Sequence, residues 1–117
     1  ISIPAYQDYV IRARVSEGLY LTTSAKTLVM ENTYHANADL SQDFVAPIPT
    51  INVASVTLSN LGVATITYTA RAGNGTIILQ PTDNNGNLVP GNTAVGAIVW
   101  DCTGGSLIAA YRPSTCR

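Results

Sequence analysis

Charge is what this sequence has least of. Asp, Glu, Lys and Arg make up 11% of its 117 residues, where a soluble domain ordinarily carries about a quarter. The six basic residues are scattered and form no stripe. That excludes a dedicated nucleic-acid domain, because binding to phosphates rests on massed Lys and Arg, and it excludes a polybasic patch for an anionic membrane surface. Histidine occurs once, at His35 in a polar stretch, too few partners for a metal centre or a histidine-dependent active site. A nucleophile elbow, a phosphate-cradling Gly loop and a plausible acid/base pair are equally missing. No apolar run is long enough to cross a membrane and no signal peptide is legible. The chain opens Ile1-Ser2-Ile3-Pro4 as though already inside a helix, which reads as a chain whose apolar leader has been removed.

What is present is apolar. At 46% hydrophobic residues the chain fits one compact domain spanning 1–117, which at this length buries roughly two-thirds of its unfolded surface and needs no metal or cofactor to do so. A lightly charged surface also suits a protein that lives packed against copies of itself. Both cysteines, Cys102 and Cys116, fall in the last 16 residues among Gly, Ser, Thr and Pro. An even count in a loop-rich segment suggests a disulfide and an oxidising, exported environment, against the alternative of two unrelated buried thiols. A bridge would close a loop of about 15 residues, worth about 3 kcal/mol in the chain-entropy picture.

Residues 1–31 read as helix, clearest from Ala5 to about Glu31: Gly18 is its single glycine, no proline interrupts it, and apolar residues recur at steps of three and four. Asp8 and Arg12 form an i,i+4 pair in the favourable order. A connection of 18 residues, Asn32 to Pro49, is long for a compact domain; it fills 32–50. Strands are then predicted at Ile51–Ser59, with a register change between Val53 and Val56, at Val63–Ala70, Thr76–Gln80 and Ala97–Cys102, with a short element at Leu107–Tyr111. Val63–Ala70 alternates, placing Ala64, Ile66 and Tyr68 on one side and Thr65, Thr67 and Thr69 on the other. Pro81–Gly96 reads as loop. Asp83 to Asn87 lacks the closing Glu of a calcium loop, and Asn74-Gly75-Thr76, although a glycosylation sequon, is first a turn. One helix followed by an antiparallel meander over 51–102 is an α+β plan, the helix covering one face of a four-stranded sheet.

Three stretches carry a resemblance. Ile3-Pro4-Ala5-Tyr6-Gln7-Asp8-Tyr9, running on to Glu17, is similar to the junction where the apolar helix of a type IV pilin enters its soluble half. Thr76-Ile77-Ile78-Leu79-Gln80-Pro81-Thr82-Asp83 resembles the family's strand-then-PT turn. Trp100-Asp101-Cys102-Thr103 with Tyr111-Arg112-Pro113-Ser114-Thr115-Cys116-Arg117 resembles the end loop of Gram-negative major pilins. In this order they cover almost the whole chain. The family's cleavage site and apolar start would lie upstream of Ile1, so the resemblance implies an N-terminally truncated soluble form.

The resemblance implies a non-enzymatic structural subunit without cofactors, whose opening helix packs among copies of itself in a helical filament. It implies an inner-membrane stage before assembly, through the missing N-terminal helix, and handling by an assembly machinery of inner and outer membrane. The finished filament would be extracellular, serve adhesion and twitching motility, and meet host receptors, phage or DNA at its surface. The helix residues assigned to subunit contact are Ile3, Tyr6, Tyr9, Val10, Arg12, Ala13 and Arg14; Asp8 and Glu17 join Arg12 and Arg14 as candidates for ion pairs between subunits, against the plainer reading of a solvated face. Cys102 and Cys116 would bound a loop over 102–116, with Thr103, Gly104, Gly105, Arg112, Pro113, Ser114 and Thr115 on its surface. Two other readings remain: a pseudopilin of a type II secretion system, and a secreted binding module, which would fold its helix start back under cover.

Overall fold

The computed structural model describes residues 3–117, with side chains from residue 6 onward. Helix α1 spans Ile3–Leu21 and α2 spans Thr23–Tyr34. They are one rod interrupted at Thr22, where Thr22 Oγ1 donates to the Leu19 carbonyl at 2.7 Å and Thr23 Oγ1 to the Tyr20 carbonyl at 2.8 Å. Two successive hydroxyls thus compete with main-chain amides for helix carbonyls, which loosens the ladder at one place. The rod runs past the expected end at Glu31 because nothing stops it there. It closes where Ala36 turns left-handed (φ 52°) and the amides of His35, Ala36 and Asn37 return to carbonyls of the last turn.

Strands follow at Val53–Leu58 (β1), Ala64–Tyr68 (β2), Thr76–Asp83 (β3), Gly86–Asn87 (β4) and Val99–Gly104 (β5). All pairings are antiparallel: β1 with β2, β2 with β3, and β3 with both β4 and β5. β3 is therefore central, with β5 on one edge and β2 followed by β4 on the other. The register slips between Val53 and Ser55, as the alternation requires if Val53 and Val56 are both to face the core.

Two expectations need correction. Pro81 and Thr82 do not turn out of the sheet but continue β3 to Asp83. Pairing with β2 ends at Leu79 and pairing with β4 begins at Thr82, so the proline falls in the gap between them and its missing N–H costs no ladder bond on that edge. And Gly86–Asn87, inside the stretch read as loop, pairs with β3 as an added strand, while the short element at Leu107–Tyr111 is a 3-10 turn at Ala109–Tyr111.

The core lies between the rod and one sheet face. Val15 packs with Val53, Val56, Ala64, Ile66, Tyr68, Ile77 and Leu79, while Ile11, Leu19 and Leu21 are half-buried against them. A smaller cluster of Val29, Leu40 and Leu88 closes the far end under Trp100, whose ring lies 5.8 Å from Lys26 Nζ. The closest approach of rod and sheet is at Gly18. Tyr68 buries its ring there and donates its hydroxyl to the Val15 carbonyl at 2.8 Å, and burial pushes that phenol above its ordinary range. A Cβ on Gly18 would sit 2.6 Å from the Tyr68 hydroxyl and 2.7 Å from its ring.

The loop after β3 is tied down by Asp83. Its carboxylate accepts the Val95 amide at 2.9 Å and the Asn85 amide at 2.8 Å, which hold the carboxyl below its usual range. Asp39 is lowered likewise by the hydroxyl and amide of Ser41.

Two measurements check this packing. Alanine gains about 1 kcal/mol over glycine in a helix, but a methyl forced into an immobile ring costs about 1–3 kcal/mol. Gly18→Ala is expected to lower the urea-unfolding free energy by about 1 kcal/mol, and in a Tyr68→Leu background the same change becomes neutral or stabilising. For Asp83 and Asp39 the folded state holds the proton more weakly than the unfolded chain. The stability so gained is complete above the unfolded carboxyl value and is lost as pH falls through the lower folded one. The melting temperature is expected to drop below about pH 4, less steeply in Asp83→Asn.

Candidate functional site

Two features stand apart from the core: the exposed start of the rod and the closed loop at the C-terminus. Among the described residues the first helix side chain packed against the core is Ile11. Tyr6 is 67% exposed and Tyr9 66%, and Ala13 is exposed as well. Tyr6, Gln7, Val10, Ile11 and Arg14 line a groove of about 330 Å³ on one side of the helix. Tyr9, Arg12, Ala13, Ser16 and Pro113 line another of about 400 Å³, where the helix meets the C-terminal loop. Residues assigned separately to helix and loop are thus brought together. The side chain of Ile3 lies outside the described residues.

The charged helix residues are held by their own domain. Arg12 donates to the Ala110 carbonyl at 3.0 Å and Arg14 to the Arg71 carbonyl at 2.9 Å. Glu17 accepts the Thr50 hydroxyl at 2.7 Å, and that hydroxyl accepts the amides of Asn52 and Val53 at the mouth of β1. Arg12 turns to the Ala110 carbonyl and not to Asp8, four residues before it; an ion pair at the surface of a helix would have added only a few tenths of a kcal/mol.

At the C-terminus Cys102 and Cys116 are disulfide-bonded, which joins β5 to the final turn Ser114–Cys116. The surface role expected of Arg112 is corrected. Arg112 is only 4% exposed. Its Nε donates to the Leu107 carbonyl at 2.7 Å, and one terminal nitrogen reaches the carbonyls of Gly104 at 2.9 Å, Cys102 at 3.1 Å and Cys116 at 3.3 Å. The carbonyls of Cys102 and Gly104 are two residues apart on one edge of β5. A guanidinium stands there in place of a sixth strand and covers the edge. Gly105 is also fixed by the fold: its φ is +99°, and a Cβ would collide with the Thr76 carbonyl. Thr103, Ser114 and Thr115 are exposed, while Gly104 and Pro113 are partly covered. Thr103 is tied by its hydroxyl to both oxygens of Asp101.

A rod bare at its start, a small antiparallel sheet against its later half and a disulfide-closed end form one arrangement. A family model for pilin, a bacterial filament protein, matches residues 11–117. The chain belongs to the pilin family. The fimbrial protein EcpC of Eikenella corrodens is 32% identical over 126 aligned residues, covering 100% of this chain and 77% of that protein. This pilin is a structural subunit of a bacterial filament, and the α+β fold with its C-terminal disulfide agrees with that family.

Reasoning from sequence missed Arg112 and the Gly18–Tyr68 contact. A signal for the first exists. A short closed loop with little strand pairing must find donors for its inward carbonyls, and Arg112 is the only multidentate donor between the two cysteines. Arg112→Met keeps the stem and strips the donors. It is expected to cost about 2–4 kcal/mol in unfolding with the disulfide intact and to speed amide exchange around Gly104 and Leu107. Arg112→Lys is expected to recover little of this, since one ammonium cannot span the four carbonyls.

Proposed function

We propose that this pilin is an abundant subunit of a type IV pilus, assembled by gathering the starts of its helices in the filament core. The observation that carries the reading is the pair Tyr6 and Tyr9, exposed on a helix that its own sheet leaves uncovered. Aromatic area left in water on a rigid rod is the kind of surface that burial against a copy stabilises. Val10, Arg12, Ala13 and Arg14 lie on the same stretch and join that contact. Before assembly the subunit is held in the inner membrane through an apolar helix, and an envelope-spanning machinery extrudes it. The filament serves adhesion and twitching, with the exposed Thr103, Gly105, Ser114 and Thr115 of the end loop facing outward to receptors, phage or DNA. No catalytic activity is part of this role.

The disulfide-closed loop favours the pilus over the short filament of a secretion pseudopilin, and the exposed helix start speaks against a secreted monomeric binding module. The test is deletion of the full-length gene followed by electron microscopy for surface fibres and a twitching assay. Loss of both is expected, with fibres restored by the wild-type gene and at most poorly by Tyr6→Ser/Tyr9→Ser. Fibres and movement unchanged by the deletion would overturn the proposal.

A further inference from the structure

The sparse charge of this pilin is sorted along its long axis. A rod of 19 and 12 residues is about 48 Å long at 1.5 Å per residue, so it must lie along the 53 Å dimension of the molecule. Arg12 and Arg14 mark one level on it. The hydrogen bonds of Arg12 to Ala110, Arg14 to Arg71, and Arg117 to Ala109 and Arg112 place five of the six basic residues at that level. Four of the seven acidic residues lie at the other end. Glu31 is about 25 Å further along the rod. Asp39 and Asp43 flank Leu40 and Gln42, whose carbonyls receive the buried amide of Asn32. The loop pinned by Asp83 reaches the same end, where Gly91 donates to the Asn37 carbonyl and Thr33 to that of Asn92. Lys26 is the exception at the acidic end, while Asp8, Glu17 and Asp101 lie at or beside the basic level, outnumbered there by five arginines.

The basic end is also built to keep its charge. The four guanidiniums that are anchored, those of Arg12, Arg14, Arg112 and Arg117, are anchored to main-chain carbonyls. A carbonyl fixes the orientation of a guanidinium without neutralising it, and each retains unused N–H donors. Arg71 and Arg117 are exposed, as are Glu31, Asp39 and Asp43 at the other end.

Resting on the filament reading above, we propose that the head docks head-to-tail on a second copy of this chain. The acidic end, Glu31, Asp39 and Asp43, meets the exposed Arg71 and Arg117 of the arginine level on the copy stacked along the fibre axis, while Arg12 and Arg14 stay with the helix contact. The contact is heterologous, joining different surfaces on the two copies, so it propagates rather than closing into a dimer. The helix starts supply the apolar cohesion, and the charged ends set the axial register by rejecting like against like.

The test uses the full-length pilin in its piliated host. Glu31→Lys/Asp43→Asn changes exposed residues and spares Asp83 and Asp39, whose carboxylates hold loops; Asp43 is left-handed at φ 68°, a conformation Asn also tolerates. The pair is expected to reduce pilin recovered in sheared fibres about tenfold while the subunit stays folded and cell-associated. The milder Glu31→Gln/Asp43→Asn should lose less. Adding Arg71→Glu to the first pair recreates opposite charges across the contact and should restore fibres to within about threefold of wild type. Wild-type yields from Glu31→Lys/Asp43→Asn, or a triple variant no better than the pair, would overturn head-to-tail charge pairing and leave the subunit reading standing. Wild-type pilin missing from the sheared fibres would instead remove the subunit reading itself.

Discussion

The structure depends on how closely a sheet can be brought to a helix that is too long for it. The rod extends about 48 Å, and the strands that face it are at most eight residues long. The sheet must choose which part to cover, and it grips at Gly18, the only helix position without a side chain, where Tyr68 enters and bonds to the Val15 carbonyl. That contact lies in the middle of the rod. C-terminal to it the inner face of the rod, with Leu19, Leu21 and Val29, packs into the two clusters, while Tyr6, Gln7 and Tyr9 are left in water. The bare helix start is the remainder of a packing problem solved elsewhere, and this gives the protein one surface it must share.

Main-chain carbonyls are the second theme. The segment after β5 has no strand to pair with, so its carbonyls and those of the β5 edge need donors from side chains. Arginines supply them: Arg112 from within the loop, Arg12 from the helix to Ala110, and Arg117 back to Ala109 and Arg112. The disulfide ties the last turn to the strand, but it satisfies no polar group. The bridge limits how far the loop can open when unfolded, whereas the guanidinium defines its folded shape. Because Arg12 belongs to the helix, the loop's position is coupled to the rod, and a groove shared by Tyr9, Arg12, Ala13 and Pro113 results.

Much of this was legible in the sequence because it is written in periodicity. Steps of three and four mark the rod, alternation marks β2, and two valines three apart demand the slip in β1 that the register displays. The end loop and its bridge were legible by likeness to pilins. What was hidden depends on who is opposite whom. Pro81 looked like a strand end because proline lacks a donor, and only the gap between β2 and β4 makes it harmless. Arg112 looked like a surface residue because arginine usually is one; its burial follows from an unpaired edge that no local pattern announces. Arg12 had a suitable partner in Asp8, yet a carbonyl 98 residues away in sequence took it.

These features give a reason for so little charge. A subunit that buries its surface against copies must desolvate whatever charge lies there, and an ion stripped of water costs several kcal/mol unless it is paired. Having few charges keeps that cost small. Those retained serve three uses. Arginines orient carbonyls within the head, and carboxylates such as Asp83, Asp39 and Glu17 hold amides and hydroxyls of its loops. Exposed charges mark its two ends with opposite sign. A scattered distribution of the same thirteen side chains would have the same composition, but it would neither hold the end loop nor tell one end of the subunit from the other. For a chain that has to stack in one direction, the placement of charge matters more than its amount.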